Sequence, residues 1–293
     1  MIYSIRPEWD AARLSANPLL APLASQMARL NAGRFPTLAD LNTLMKEQAA
    51  PIRVRSGLPL RFVPQSCGHL PFGAQYEPRC YLQGEVQTRS DNWHDLFNAL
   101  VWFTFPQAKA AINERHYRAQ TGLREKSSSQ RGAVRDMATL FDESGMVVPY
   151  ADGALAQLLR DFRWKDLFWS RRKELAGGME FHLFGHGLHE KALNPYVGLT
   201  GQGLLLPVSQ EFFAWPLEQR LAHLDGLLAD YLGDPVCCTD THELTPVPLL
   251  GVPGWWAANE DAAFYDNTTY FRSGRQRRAQ RTPLITAPSS VAG

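Results

Sequence analysis

The chain has 293 residues, and its 30 lysines and arginines against 29 aspartates and glutamates give a formal net charge of +1. That balance excludes a general polyanion-binding character for the body of the protein and leaves any nucleic-acid contact to a local patch. Ordinary hydrophobic content with 20 prolines and 22 glycines excludes a coiled coil and a mostly disordered chain, and no apolar run reaches the roughly eighteen residues of a membrane span.

A chain of this length can bury a full core without disulfides or structural metals. Its four cysteines, Cys67, Cys80, Cys237 and Cys238, include no CxxC pair, which is the usage of a reducing compartment. The opening MIYSIRPEWDAARL has an early acidic residue and no hydrophobic signal core, so a cytoplasmic location is expected.

Residues 18 to 50 read as two short helices, the second capped by Thr37 with Asp40 three residues on, and Pro51 ends it. From Ile52 to Val86 the pattern is loop-rich with one or two short strands. Ser90 is positioned to cap a helix over Asp91 to Thr104, with Trp93, Phe97, Leu100 and Val101 on one face. Asp91, His94, Asp95 and Asn98 gather on the other, as one wall of a site. Pro106 fits the first turn of a further helix through Gln120, and TGLREKSSSQRG reads as a polar linker.

ATLFDESGMVVPY, Ala138 to Tyr150, reads as strand, turn, strand, with Asp142 to Gly145 as the connection. Asp152 then caps a helix that carries on toward Leu175. GLTGQG, Gly198 to Gly203, reads as a packed glycine turn before a strand over Leu204 to Val208, and a helix follows from Pro216 to about Leu232. Five arginines at 272, 275, 277, 278 and 281 end the chain in a basic, flexible tail. The organisation expected is one globular domain over 1–270, α+β and mainly helical with a few short strands, and a tail over 271–293.

The chemistry concentrates in MEFHLFGHGLHEK, Met179 to Lys191. On a helix, His182, His186 and Glu190 share one face at four-residue spacing and could meet a divalent transition metal such as zinc, or a buried proton. Two features oppose the helix or its simplest use. Leu183 stands where a zincin has glutamate, and Gly185 and Gly187 each cost a regular helix roughly 1 kcal/mol relative to alanine. His94 offers a third ligand or a general base, with Asp95 to orient an imidazole, and Asp142 is a candidate at the rim. GxGxxG, GxxxxGK[ST] and GxSxG are absent, so dinucleotide, phosphate-loop and α/β-hydrolase chemistries lack their sequence warrant.

The strings NWHDLFNALVWFTFPQAKAAINERH, ATLFDESGMVV, FRWKDLFWSRR and FGHGLHEKALNPYVGLTG, with PGWW and FYDNTTYFR near the end, together resemble the bacterial domain-of-unknown-function family 3025 over about Pro7 to Arg275. The resemblance implies a proteobacterial-type cytosolic protein and supplies no activity, substrate or cofactor. It implies that the positions to watch are His94, Asp95, Asn98, Lys109, Asp142, His186, Glu190, Lys191, Asn194 and Pro195. It favours His94, His186 and Glu190 over a pair containing His182.

Two functions are therefore expected. The first is a small-molecule hydrolase or related enzyme using His94, Asp95, Asp142, His186 and Glu190 as acid-base groups, or His94, His182, His186 and Glu190 as metal ligands. The second is a non-catalytic interaction protein presenting Trp164, Trp169, Trp255 and Trp256 to a protein partner, with the arginine tail adding charge. Nothing points to a membrane, and the arginine tail alone is a weak warrant for nucleic acid.

Overall fold

The computed structural model describes residues 8–121 and 128–274. It is a mainly helical α+β fold. The helices in chain order are α1 Ala11–Ser15, α2 Ala24–Met27, α3 Leu38–Lys46, α4 Tyr76–Gln83, α5 Trp93–Thr104, α6 Pro106–Thr121, α7 Ser128–Ser144, α8 Gly153–Arg160, α9 Arg172–Gly178, α10 His186–Lys191 and α11 Leu217–Gly233. The strands are β1 Arg61–Pro64, β2 Glu85–Thr88, β3 Gly145–Tyr150, β4 His182–Leu183, β5 Thr200–Pro207 and β6 Thr245–Pro248.

The local signals for α3, α6 and α11 lead to helices at the expected places. Thr37 and Asp40 form the reciprocal cap of α3, and Pro106 opens α6. Asp225 of α11 reaches across to accept hydrogen bonds from the free first-turn amides of Gln107 and Ala108, at 3.0 and 2.8 Å, so α11 caps α6.

Helix α5 is the centre of the molecule. Ten of its twelve residues are buried, Asp95 and Asn98 among them, so its polar face is a covered wall rather than a solvated one. Its N-cap is Asn92, whose side chain accepts from the Asp95 amide, and not Ser90.

A four-stranded sheet in the order β4-β3-β5-β6 packs beside these helices. Strands β3 and β5 run parallel, from Gly145 opposite Gln202 to Tyr150 opposite Pro207, and the outer pairings are antiparallel. A second, two-stranded sheet joins β1 and β2 in parallel.

Four expected elements take another form. The Ala138–Tyr150 segment is the end of α7 followed directly by β3, because Met137, Ala138 and Phe141 are buried on one helical face. The helix from Asp152 stops at Arg160; Phe162 adopts φ +59, and a π-helical turn at Asp166–Ser170 precedes α9. The glycine-rich GLTGQG segment runs into β5 rather than forming a turn. Of the expected tail, Phe271 is buried in the core, and residues from 275 onward lie outside the described residues, as does 122–127 of the expected linker.

Candidate metal and acid-base site

The histidine segment is two elements. His182 lies on β4, and a new helix begins at His186 with Gly185 as its N-cap. His182 and His186 therefore do not share a helical face. His182 instead meets Glu180 through Nε2 at 3.0 Å, and Arg220 holds the other oxygen of Glu180, so this group stands apart from the cluster below.

What builds the site is the joint between β3 and β4. The amides of Phe184 and Gly185 both donate to the Gly145 carbonyl at 2.9 Å, pinning the start of α10 to the end of α7. The two glycines permit the contact. A Cβ on Gly185 would lie 2.5 Å from the backbone of Glu143 and Ser144, and one on Gly187 would lie 2.5 Å from the Glu143 carboxylate. Gly185→Ala is therefore expected to destabilise the fold by about 1–3 kcal/mol, measured by urea unfolding, because neither backbone can retreat without breaking the sheet joint. An unchanged midpoint would mean that the joint yields.

The result is a compact cluster. His94 Nε2 lies 3.7 Å and His186 Nε2 3.4 Å from the same oxygen of Glu143. One donor atom from each of His94, Glu143 and His186 falls within 4.8 Å of the other two. Behind them, His94 Nδ1 donates to Glu190 at 3.2 Å, and His186 Nδ1 faces Asp142 at 3.7 Å with no hydrogen-bond partner. Lys109, nearly fully buried on α6, donates to the other oxygen of Asp142 at 2.5 Å.

The electrostatics follow from these contacts. Burial alone would raise the Asp142 carboxyl, but Lys109 and His186 bring it below its ordinary value. Glu143 is held low mainly by His186 and then by His94, against the effect of burial. Asp95 is buried, which opposes ionisation, yet Arg89 donates to it from its backbone and guanidinium at 2.7–2.9 Å and lowers it. Asp95 thus belongs to Arg89. The partner that orients the His94 ring is Glu190.

His189, in the same helix, is fully buried and stacked on Phe97. Its Nδ1 donates to the Gly185 carbonyl at 2.9 Å, and burial pushes its pKa down to about 3. The folded value lies below the unfolded 6.5, so only the unfolded chain takes up this proton, and stability falls as pH drops below 6.5. Between pH 7 and pH 5 the loss from this one group is about 2 kcal/mol. Urea midpoints of His189→Leu at the two pH values should lack that increment; an identical pH slope in both proteins would contradict the burial argument.

The cluster opens on a cavity of about 790 Å³, whose other walls include Gln65, Tyr76, Glu77, Asn98, His116 and Arg135. The size suits a small-molecule ligand. Of the expected residues, His94, Asp142, His186 and Glu190 come together, Asp95 lines the same cavity paired to Arg89, and His182 is elsewhere. Glu143 is not among the expected site residues, because beside Asp142 in an apparent turn it reads as a solvated turn residue. The helical spacing of Met137, Ala138 and Phe141 ahead of it was the available signal.

Fold and site together define a mainly helical α+β protein with a histidine-carboxylate cluster at the floor of a polar cavity. The family model described as "Protein of unknown function (DUF3025)" matches residues 60–275, and the chain belongs to that family. That span contains every residue of the cluster. No curated protein and no solved structure matches the chain.

Proposed function

We propose that this protein is an enzyme acting on a small molecule, most directly a hydrolase, with a divalent transition metal such as zinc held by His94, Glu143 and His186. The observation that carries the reading is the orientation of the two imidazoles. Both turn Nε2 toward one oxygen of Glu143 and both turn Nδ1 toward a second carboxylate. Metal-binding histidines are characteristically held by such an outer carboxylate, as Glu190 holds His94; it fixes the tautomer and leaves the inner nitrogen its lone pair.

Charge supports the same reading. Asp142, Glu143 and Glu190 each lie within 3.7 Å of a ring nitrogen of His94 or His186, and of the three only Asp142 also pairs with a cation, Lys109, which leaves an excess of two negative charges among these groups. A dication neutralises that excess. Two imidazoles and one carboxylate leave coordination positions free for water and substrate, and such an ion lowers the pKa of bound water toward about 7, supplying a nucleophile at neutral pH.

The interaction-protein reading has less support. Trp164 is buried, with its indole donating to the Arg272 carbonyl at 2.8 Å, and Trp255 and Trp256 pack against the core. Of the four tryptophans only Trp169 is exposed. A bacterial cytoplasm is the proposed setting, on the family resemblance and on four free cysteines of which three are buried; no helix among the described residues is long and apolar enough to cross a membrane.

The test is elemental analysis of protein purified without chelator. About one equivalent of zinc, iron, manganese or nickel per chain supports the reading. A protein that neither carries nor takes up any of them overturns the metal, leaving only metal-free acid-base chemistry at His94 and His186.

A further inference from the structure

One titratable group of the cavity has no part in the metal cluster. His116, on α6, is only 6 % exposed and lines the cavity, yet among the described residues it makes no hydrogen bond. A buried imidazole is ordinarily satisfied by the protein. Its nitrogens are not among the enclosed, unpartnered polar atoms either, so they are open to what the cavity holds.

The groups facing it have a definite character. Asn113, three residues earlier on the same face of α6, donates to the Glu77 carboxylate at 2.6 Å and to the Glu77 carbonyl at 3.0 Å, which fixes that carboxylate against the cavity wall. Burial pushes the Glu77 carboxyl up, and His116 opposes the shift; His116 likewise helps to hold Asp142 ionised. The imidazole is thus flanked by carboxyl groups from α4 and α7, with Lys109 on its own helix already bound to Asp142. Arg89, paired to Asp95, and Arg135 line other parts of the cavity wall; beside the imidazole it is the carboxyls of Glu77 and Asp142 that disfavour an anionic group and suit a neutral or cationic one that carries a proton.

We infer that His116 is a second acid-base residue of this cavity, and that the ligand group it meets is a hydroxyl or an amine rather than a phosphate or carboxylate. This rests on the cavity being a small-molecule site and not on the metal. In hydrolysis a proton-exchanging side chain of this kind supplies the proton that a departing alcohol or amine takes up. Nothing in the sequence pattern marks His116, since it sits in a helix of otherwise ordinary composition.

Acylation of the full-length protein by diethyl pyrocarbonate, mapped histidine by histidine by mass spectrometry, tests the inference without a known substrate. Only an unbonded neutral imidazole nitrogen reacts. His116 should react within about tenfold of the exposed His69 and His242, while the hydrogen-bonded and fully buried His189 is spared. Propylene glycol, a hydroxyl probe, should slow His116 by about twofold or more, and inorganic phosphate should not. An unreactive His116, or protection by phosphate but not by the glycol, overturns the inference. Saturation with zinc separates the two proposals. It should protect His94 and His186 and leave His116 reactive. Zinc that protects none of the three removes the metal site and leaves the role of His116 intact, whereas zinc that protects all three makes His116 a ligand and overturns that role.

Discussion

Glu143→Gln is expected to abolish zinc retention without unfolding the protein. The carboxylate of Glu143 is the one group that both His94 Nε2 and His186 Nε2 face, at 3.7 and 3.4 Å, so it closes the proposed coordination set. Glutamine keeps the shape that fits against Gly187 and removes only the charge and one acceptor oxygen. Zinc affinity, measured by competition with a chromogenic chelator, should fall by more than about 100-fold. Asp142→Asn and Glu190→Gln, which alter the partners behind the imidazoles, should cost roughly 10- to 100-fold. Equal affinity in Glu143→Gln and the unmodified protein would remove Glu143 from the site. The ranking matters as much as the size, since a merely electronegative pocket would respond similarly to the loss of any of the three carboxylates.

Lys109→Met should cost about 3–5 kcal/mol of stability near pH 7.5, the largest effect expected of any single change in the cluster. Lys109 is 4 % exposed, and its ammonium pairs with Asp142 at 2.5 Å. Methionine fills nearly the same volume beside Trp102 but leaves the Asp142 carboxylate in a poorly hydrated site without its cation. The pH dependence identifies the cause. In the unmodified protein the Asp142 carboxyl is depressed, so its contribution is present above its unfolded value and is lost as pH falls through the folded value. In the variant its folded pKa is raised. The penalty is then full at high pH and fades as pH falls through the raised value and Asp142 takes up a proton. Urea midpoints at pH 7.5 and pH 5.5 should therefore converge on those of the unmodified protein at the lower pH. A penalty of the same size at both would point to lost packing and not to a stranded charge.

Much of the local structure was legible because its causes are local. The Thr37 and Asp40 cap, the proline at the start of α6 and the leucine stripe of α11 are fixed by nearest neighbours along the chain, and the helices are where those signals put them. The stop after Arg160 was not legible, since nothing in the apolar spacing announces the left-handed backbone at Phe162. The segment ending in Asp142 and Glu143 is not legible as helix, because Asp, Glu, Ser and Gly favour a turn when taken alone. In the folded chain they lie where α7 runs straight into β3.

The site divides in the same way. The spacing of the letters puts His186 and Glu190 one helical turn apart and His94 on a helix beside Asp95 and Asn98, while Gly185 and Gly187 oppose a single histidine helix and leave open whether it breaks or packs closely there. Each follows from spacing and side-chain size. It is the folded chain that turns His182 to Glu180, pairs Asp95 with Arg89 and joins Glu143 to the imidazoles. It also opens His116 on the same cavity. The contacts among His94, Glu143, His186 and Glu190 depend on α10 docking against α5 and α7, between residues roughly 40 to 100 positions apart along the chain. Short-range preferences carry no information about which distant backbones approach; that is settled by the burial of α5 and the hydrogen bonds that tie Phe184 and Gly185 to Gly145.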